Sequence, residues 1–154
     1  MINHKVYLKM CEDLANLSKC SKHKVGALLV NDNRIISNGL NGTPSGFINC
    51  CDKFANCDTH TEPARSAHRE WSEKYEIHAE MNAMLFAAKH GVALNNSILY
   101  CNLEPCFNCL KHAITVGIKQ IYYKHKHKNN LNNVEVFLLK KKTGIKIEQI
   151  QEND

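Results

Sequence analysis

A chain of 154 residues, 44% hydrophobic and 23% charged, has the size and balance of a single domain over 1–154. It holds no run of 18 apolar residues, and its first twenty residues set Lys5 and Lys9 inside an amphipathic pattern. A membrane span and a secretory leader are therefore disfavoured, and the eight cysteines are expected in a reducing cytoplasm. The net charge of +5 suits an anionic ligand. The basic runs Lys124-His125-Lys126-His127-Lys128 and Lys140-Lys141-Lys142 lack the interleaved aromatics that stack single-stranded bases, which favours a solvated surface over a nucleic-acid interface.

In chain order, Tyr7, Met10, Cys11, Leu14 and Leu17 recur at helical spacing, and the segments 25–30 and 34–37 flank Asn31-Asp32-Asn33 as the arms of a β-hairpin. A loop rich in Gly, Pro, Asn and Cys runs from Asn41 to about Thr61. A polar helix follows near Arg65 to Glu73, and a second helix, begun by His78, carries Ala79, Ala83, Phe86 and Ala87. Ser97 to Cys101 reads as a strand, Pro105 to about Val116 as a helix opened by the proline, and Lys119 to Tyr123 as the next strand. Asn132 or Asn133 can cap a last helix through Leu139, Gly144 can close it, and the alternation over 145–150 marks a final strand before a frayed tail. These elements predict an α/β fold, a three-layer α/β/α sandwich with a five-stranded mixed sheet, and put the candidate ligands where helices start above the sheet.

The chemistry concentrates in His78-Ala79-Glu80 and Pro105-Cys106-Phe107-Asn108-Cys109. Cys106 and Cys109 are three apart, so at a helix start both sulfurs reach one metal ion, and the positive end of the helix favours thiolate. His78 adds a nitrogen, and three protein ligands leave the fourth tetrahedral position of Zn2+ open to water, as in a catalytic site. Glu80, two residues past His78, can carry protons to and from that position without being needed on the metal. A lone C-x-x-C would more often be a redox pair or half of a structural zinc ribbon, and a lone H-x-E occurs by chance. The combination H-x-E…P-C-x-x-C is the signature of zinc-dependent base deaminases.

Three further stretches narrow the substrate: 34–46 with Asn38-Gly39-Leu40-Asn41-Gly42-Thr43-Pro44, 65–72 with Arg65-Ser66-Ala67-His68, and 76–83 with Glu76-Ile77-His78-Ala79-Glu80. In order and spacing this combination closely resembles the deoxycytidylate (dCMP) deaminases from about Cys20 to Tyr123. The resemblance implies hydrolysis of dCMP to dUMP and ammonia, a step that feeds thymidylate synthesis, with Glu80 as the proton carrier. It implies Asn41 on base or sugar, with Thr43, Arg65 and Ser66 on the 5′-phosphate, although Asn41-Gly42-Thr43-Pro44 by composition is simply a turn. Family members tend to have a Tyr near the substrate where this chain has His127, which either substitutes there or belongs to a solvated basic run.

The resemblance also implies a second, structural zinc on Cys20, Cys50, His68 and Glu76, with Cys51, Cys57 and His60 as competing ligands and buried free thiols as the plainer alternative. It implies a homohexamer activated by dCTP and inhibited by dTTP, and Mg2+ could accompany the nucleotide effector. The effector site would involve Asn38, Gly39, Leu40, Phe86 and Lys89. Leu40 stands where the family has an aromatic residue and Lys89 where a related Arg occurs, a change that keeps the charge and loses the planar fork. Two other classes share parts of the pattern. A nucleic-acid-editing deaminase of tRNA or single-stranded DNA would have the same zinc centre and a steep salt dependence, and an inert zinc module would have no use for Glu80.

Overall fold

The apolar first arm of the expected hairpin forms β1 (Gly26–Asn31), whose first five residues are buried, as a strand covered on both faces requires. It turns through Asp32 and Asn33, both at positive φ, into β2 (Arg34–Leu40), so the two-residue turn has the left-handed backbone that suits a twisted hairpin. The computed structural model describes residues 3–127 and 133–151. Before the hairpin lies α1 (His4–Ala15), capped by the Asn3 side chain accepting the Val6 N–H. After it come α2 (Cys50–Lys53), α3 (Ala64–Tyr75), α4 (Ala79–Lys89), β3 (Ile98–Leu103), α5 (Phe107–Thr115), β4 (Gln120–His125), α6 (Asn133–Thr143) and β5 (Lys146–Gln149).

The five strands make one mixed sheet in the order β2-β1-β3-β4-β5. β1 runs antiparallel to β2 and β3, while β3, β4 and β5 are parallel and are joined through α5 and α6. Alternation along β1 builds two cores. Leu28 and Val30 join Leu8 and Cys11 of α1, Tyr100 and Tyr122 on one face. Ala27 and Leu29 join Ala79, Ala83 and Ala87 of α4, Leu110 and Ala113 of α5, and Ile121 on the other, with Val136 and Leu139 of α6 packed against them. The expected three layers follow. The small residues of α4 matter, because that helix lies so close to the sheet that a Cβ on Gly39 would stand 2.2 Å from the Ala79 carbonyl oxygen.

Several boundaries differ from the sequence reading. The first helix stops at Ala15, short of Leu17, and the loop 41–61 contains the single-turn α2, which is too short for a periodic pattern. Pro105 does not open a helix: Cys106 is the N-cap of α5 and Phe107 its first residue. Gly144, at positive φ, closes α6, and its N–H donates to the Lys140 carbonyl. The alternative cap Asn132, Lys128 of the basic run and the tail beyond 151 lie outside the described residues. No helix among the described residues is long and apolar enough to cross a membrane.

Candidate active site

Two helix starts converge at the end of the sheet. His78 is the N-cap of α4, with extended backbone angles, and Cys106 is the N-cap of α5, its sulfur accepting the Cys109 N–H at 3.4 Å. The sulfurs of Cys106 and Cys109 lie 3.4 and 3.5 Å from His78 Nδ1. A zinc tetrahedron with bonds of about 2.3 Å to sulfur and about 2.0–2.1 Å to nitrogen has edges of roughly 3.5–3.8 Å, so this donor set fits the ion closely. The bond from the Cys109 thiol, aided by His78 and the Cys109 N–H, drives the Cys106 thiol down to about 3; Cys109, facing that thiolate, keeps its proton. Glu80 follows on the first turn of α4 and is 4% exposed. Burial pushes its carboxyl above the usual range, opposed by bonds from its own N–H and from the Cys109 thiol. A carboxylate so desolvated beside a metal-ligating set can take up and release a proton.

Cys20, Cys50, His68 and Glu76 form a second cluster with all donor atoms within 4.8 Å of one another. Cys50 Sγ lies 3.2 Å and Cys20 Sγ 3.7 Å from His68 Nε2, and the Cys20 thiol donates to Glu76 Oε2 at 3.5 Å. A mixed S, N and O set at these separations also fits tetrahedral zinc. Burial pushes Cys20 up to about 12, raises Glu76 and lowers His68, so the cluster favours neutral forms until a cation draws protons off. Neither Cys51, Cys57 nor His60 joins either cluster; all three are exposed. The two sets meet in one strap, Glu76-Ile77-His78, whose central Ile77 exchanges backbone hydrogen bonds of 2.8 and 3.1 Å with Gly42.

A pocket of about 130 Å3 opens between the clusters, bounded by His78, Glu80 and Cys106 on one side and by Cys20, His68 and Glu76 on the other. Asn41 and His127 line it. The Asn41 amide is already committed to the loop: Oδ1 accepts from Ser18 Oγ (2.7 Å) and the Val25 N–H (2.9 Å), and Nδ2 donates to the His23 carbonyl (2.7 Å). Thr43, Arg65 and Ser66 are not among the lining residues. Thr43 bonds the Ile48 carbonyl, Arg65 pairs with Glu62 at 2.8 Å, and the Ser66 N–H donates to the same carboxylate, because Glu62 lies one turn upstream of them. Sequence reasoning missed His23, Ser72 and Glu104 in the wall; only Glu104, beside Pro105-Cys106, had a local signal. The basic run divides: Lys124 and His125 bind Glu12 of α1 at 3.0 and 3.1 Å, and His127 lines the pocket.

On the far side of Asn41 lies an open groove of about 510 Å3. Asn38, Gly39, Leu40, Phe86 and Lys89 all line it, together with Thr43 and Asn82, whose amide donates to the Leu40 carbonyl at 2.6 Å. Asn41 belongs to both cavities and forms the wall between them.

Residues 1–125 match the family described as the cytidine and deoxycytidylate deaminase zinc-binding region. The deoxycytidylate deaminase of Enterobacteria phage T4 is 37% identical across 81% of this chain and 83% of its own, and that of phage T2 is 38% identical across 69% and 71%. Among solved structures, the dCMP deaminase of cyanophage S-TIM5 in complex with dCMP and dUMP superposes with a TM-score of 0.73 and 31% identity over 95% of each chain.

Proposed function

Because the chain belongs to the cytidine and deoxycytidylate deaminase family, we propose that it hydrolyses dCMP to dUMP and ammonia and so supplies dUMP for thymidylate synthesis. The observation that carries this reading is the buried Glu80 carboxylate beside the His78, Cys106 and Cys109 donors, with His78, Glu80 and Cys106 lining one pocket. Zinc, when bound there, supplies Lewis-acid activation of water near neutral pH. Glu80 takes the proton released as water adds to C4 of the pyrimidine and passes it to N3; it then takes the proton of the new C4 hydroxyl and delivers it to the amine, which departs as ammonia while the C4 carbonyl forms. One carboxylate thus acts as base and then as acid, and its seclusion from bulk water limits leakage of the proton it carries. The Asn41 and His127 walls hold the pyrimidine within reach of Glu80. Thr43, Arg65 and Ser66 are the phosphate contacts of this reading, and for Arg65 that requires exchanging Glu62 for phosphate.

The second cluster binds a structural zinc that fastens residues 20, 50 and 68 to the strap, giving two metals per chain. The groove beyond Asn41 takes the effectors, dCTP as activator and dTTP as inhibitor, with any Mg2+ they bring. Lys89 offers charge to a triphosphate, and Asn38 and Asn82 offer amides. Leu17, Leu85 and Phe86 on its rim are 63%, 49% and 52% exposed, an apolar surface consistent with assembly into a hexamer. The test is ammonia release from cytidine, CMP, dCMP, dCTP and a cytosine-containing oligonucleotide by the zinc-loaded protein, with and without effectors. Preference for dCMP supports the assignment, and turnover confined to the oligonucleotide would replace it with nucleic-acid editing.

A further inference from the structure

Besides Glu76 of the second cluster, one pocket carboxylate plays no part in the proton transfers described above. Glu104 directly precedes Pro105 and stands two residues before the ligand Cys106, and it is half-buried in the pocket wall. Its backbone N–H donates to the His125 carbonyl at 2.8 Å. Its Oε2 accepts the backbone N–H of His127 at 3.2 Å. The parallel ladder between β3 and β4 ends at the pair Leu103 and His125. Beyond that pair the hold on the chain leaving β4 passes from backbone to side chain, and Glu104 provides it. Both bonded partners, Glu104 and His127, face the same pocket as Cys106.

We propose that Glu104 is a positioning residue for the substrate: its carboxylate clamps the segment at His127 in register with the Cys106 end of β3, fixing the wall against which the nucleotide is oriented. This rests on the deaminase reading. The physical argument is that a backbone N–H just past a strand end is held by whatever acceptor the neighbouring chain offers. A carboxylate is a stronger acceptor than an amide, and an alanine offers none. The clamp needs no proton transfer and no metal contact, so its loss should be felt in substrate binding ahead of chemistry.

The experiment uses the full-length, zinc-loaded protein. Glu104→Ala should raise KM for dCMP about tenfold, with kcat changed less than about twofold and zinc content unchanged, and Glu104→Gln should recover most of that loss. In a His127→Ala background, Glu104→Ala should have little further effect on KM, because the wall it serves is already lost. A full tenfold effect in that background, or a fall in kcat without change in KM, overturns the proposal. The clamp is also read without substrate. Glu104→Ala should speed hydrogen exchange of the His127 amide at least about tenfold, and unchanged exchange overturns the clamp. If wild type releases no ammonia from dCMP, the deaminase reading fails while the exchange measurement still decides the clamp. Where Glu104→Ala does not fold, Glu104→Asp keeps the charge and withdraws the oxygen; unchanged KM and exchange in that variant overturn the proposal.

Discussion

Glu80 is 4% exposed, next to His78 in chain and space, and burial rather than a neighbouring charge is the main force raising its carboxyl. Glu80→Gln keeps the shape and removes the proton carrier. It should retain zinc and fold while losing at least about a hundredfold in turnover, as measured by ammonia release and metal analysis on the same sample. Cys106→Ser, which removes the helix-cap thiolate, should instead lose the catalytic zinc and activity together. At this scale the first set was legible because Cys106 and Cys109 sit at a short fixed spacing and His78 precedes Glu80 by two residues, whereas Cys20, Cys50, His68 and Glu76 lie far apart in the chain and were reached only through the family resemblance. His23, Ser72 and Glu104 were not, since they come from separate loops and acquire meaning only when the pocket closes. The expectation for Arg65 shows the converse. The resemblance drew it toward phosphate, a contact that local spacing does not show; the local geometry itself pairs Arg65 with Glu62, three residues upstream.

Among elements, the junction of α1 with β4 depends on one residue. Burial works to raise the Glu12 carboxyl, but bonds from Lys124 and His125 outweigh it and hold it below the ordinary 4.5. A depressed carboxyl contributes stability that is present above its unfolded value and lost as pH falls through the lower, folded one. Glu12→Gln should therefore cost about 1 kcal/mol or less at neutral pH, and the deficit should shrink as pH falls below the folded carboxyl's lowered value, as checked by urea unfolding at neutral pH and in acid. The strands and long helices were legible because β1 is a continuous apolar run buried on both faces and α4 carries small apolar residues at helical spacing on its buried side. The shift at Pro105 has a clear cause: Cys106 takes the cap position itself, so the helix begins after it and its sulfur accepts the Cys109 N–H.

For the molecule as a whole, the second metal cluster should act on stability rather than chemistry. Cys50→Ala should reduce the zinc content from two per chain to one and lower the thermal midpoint, measured by metal analysis and calorimetry; a single zinc in carefully prepared wild type would contradict the assignment. Across the Asn41 partition, dTTP should weaken dCMP binding and dCTP strengthen it, each by the same factor that dCMP exerts in return. Lys89→Glu should blunt both responses while leaving turnover at saturating dCMP, as read from saturation curves with each effector. The strap 76–78 has a further consequence for how the molecule is made. Every donor of the second cluster, from residue 20 to residue 76, precedes every donor of the catalytic set, from 78 to 109. A chain growing from its N-terminus thus carries a complete four-donor clasp before either sulfur of the catalytic set has been synthesised. The segment that will present His78 can be anchored at its upstream end while the rest of its site is still to be translated.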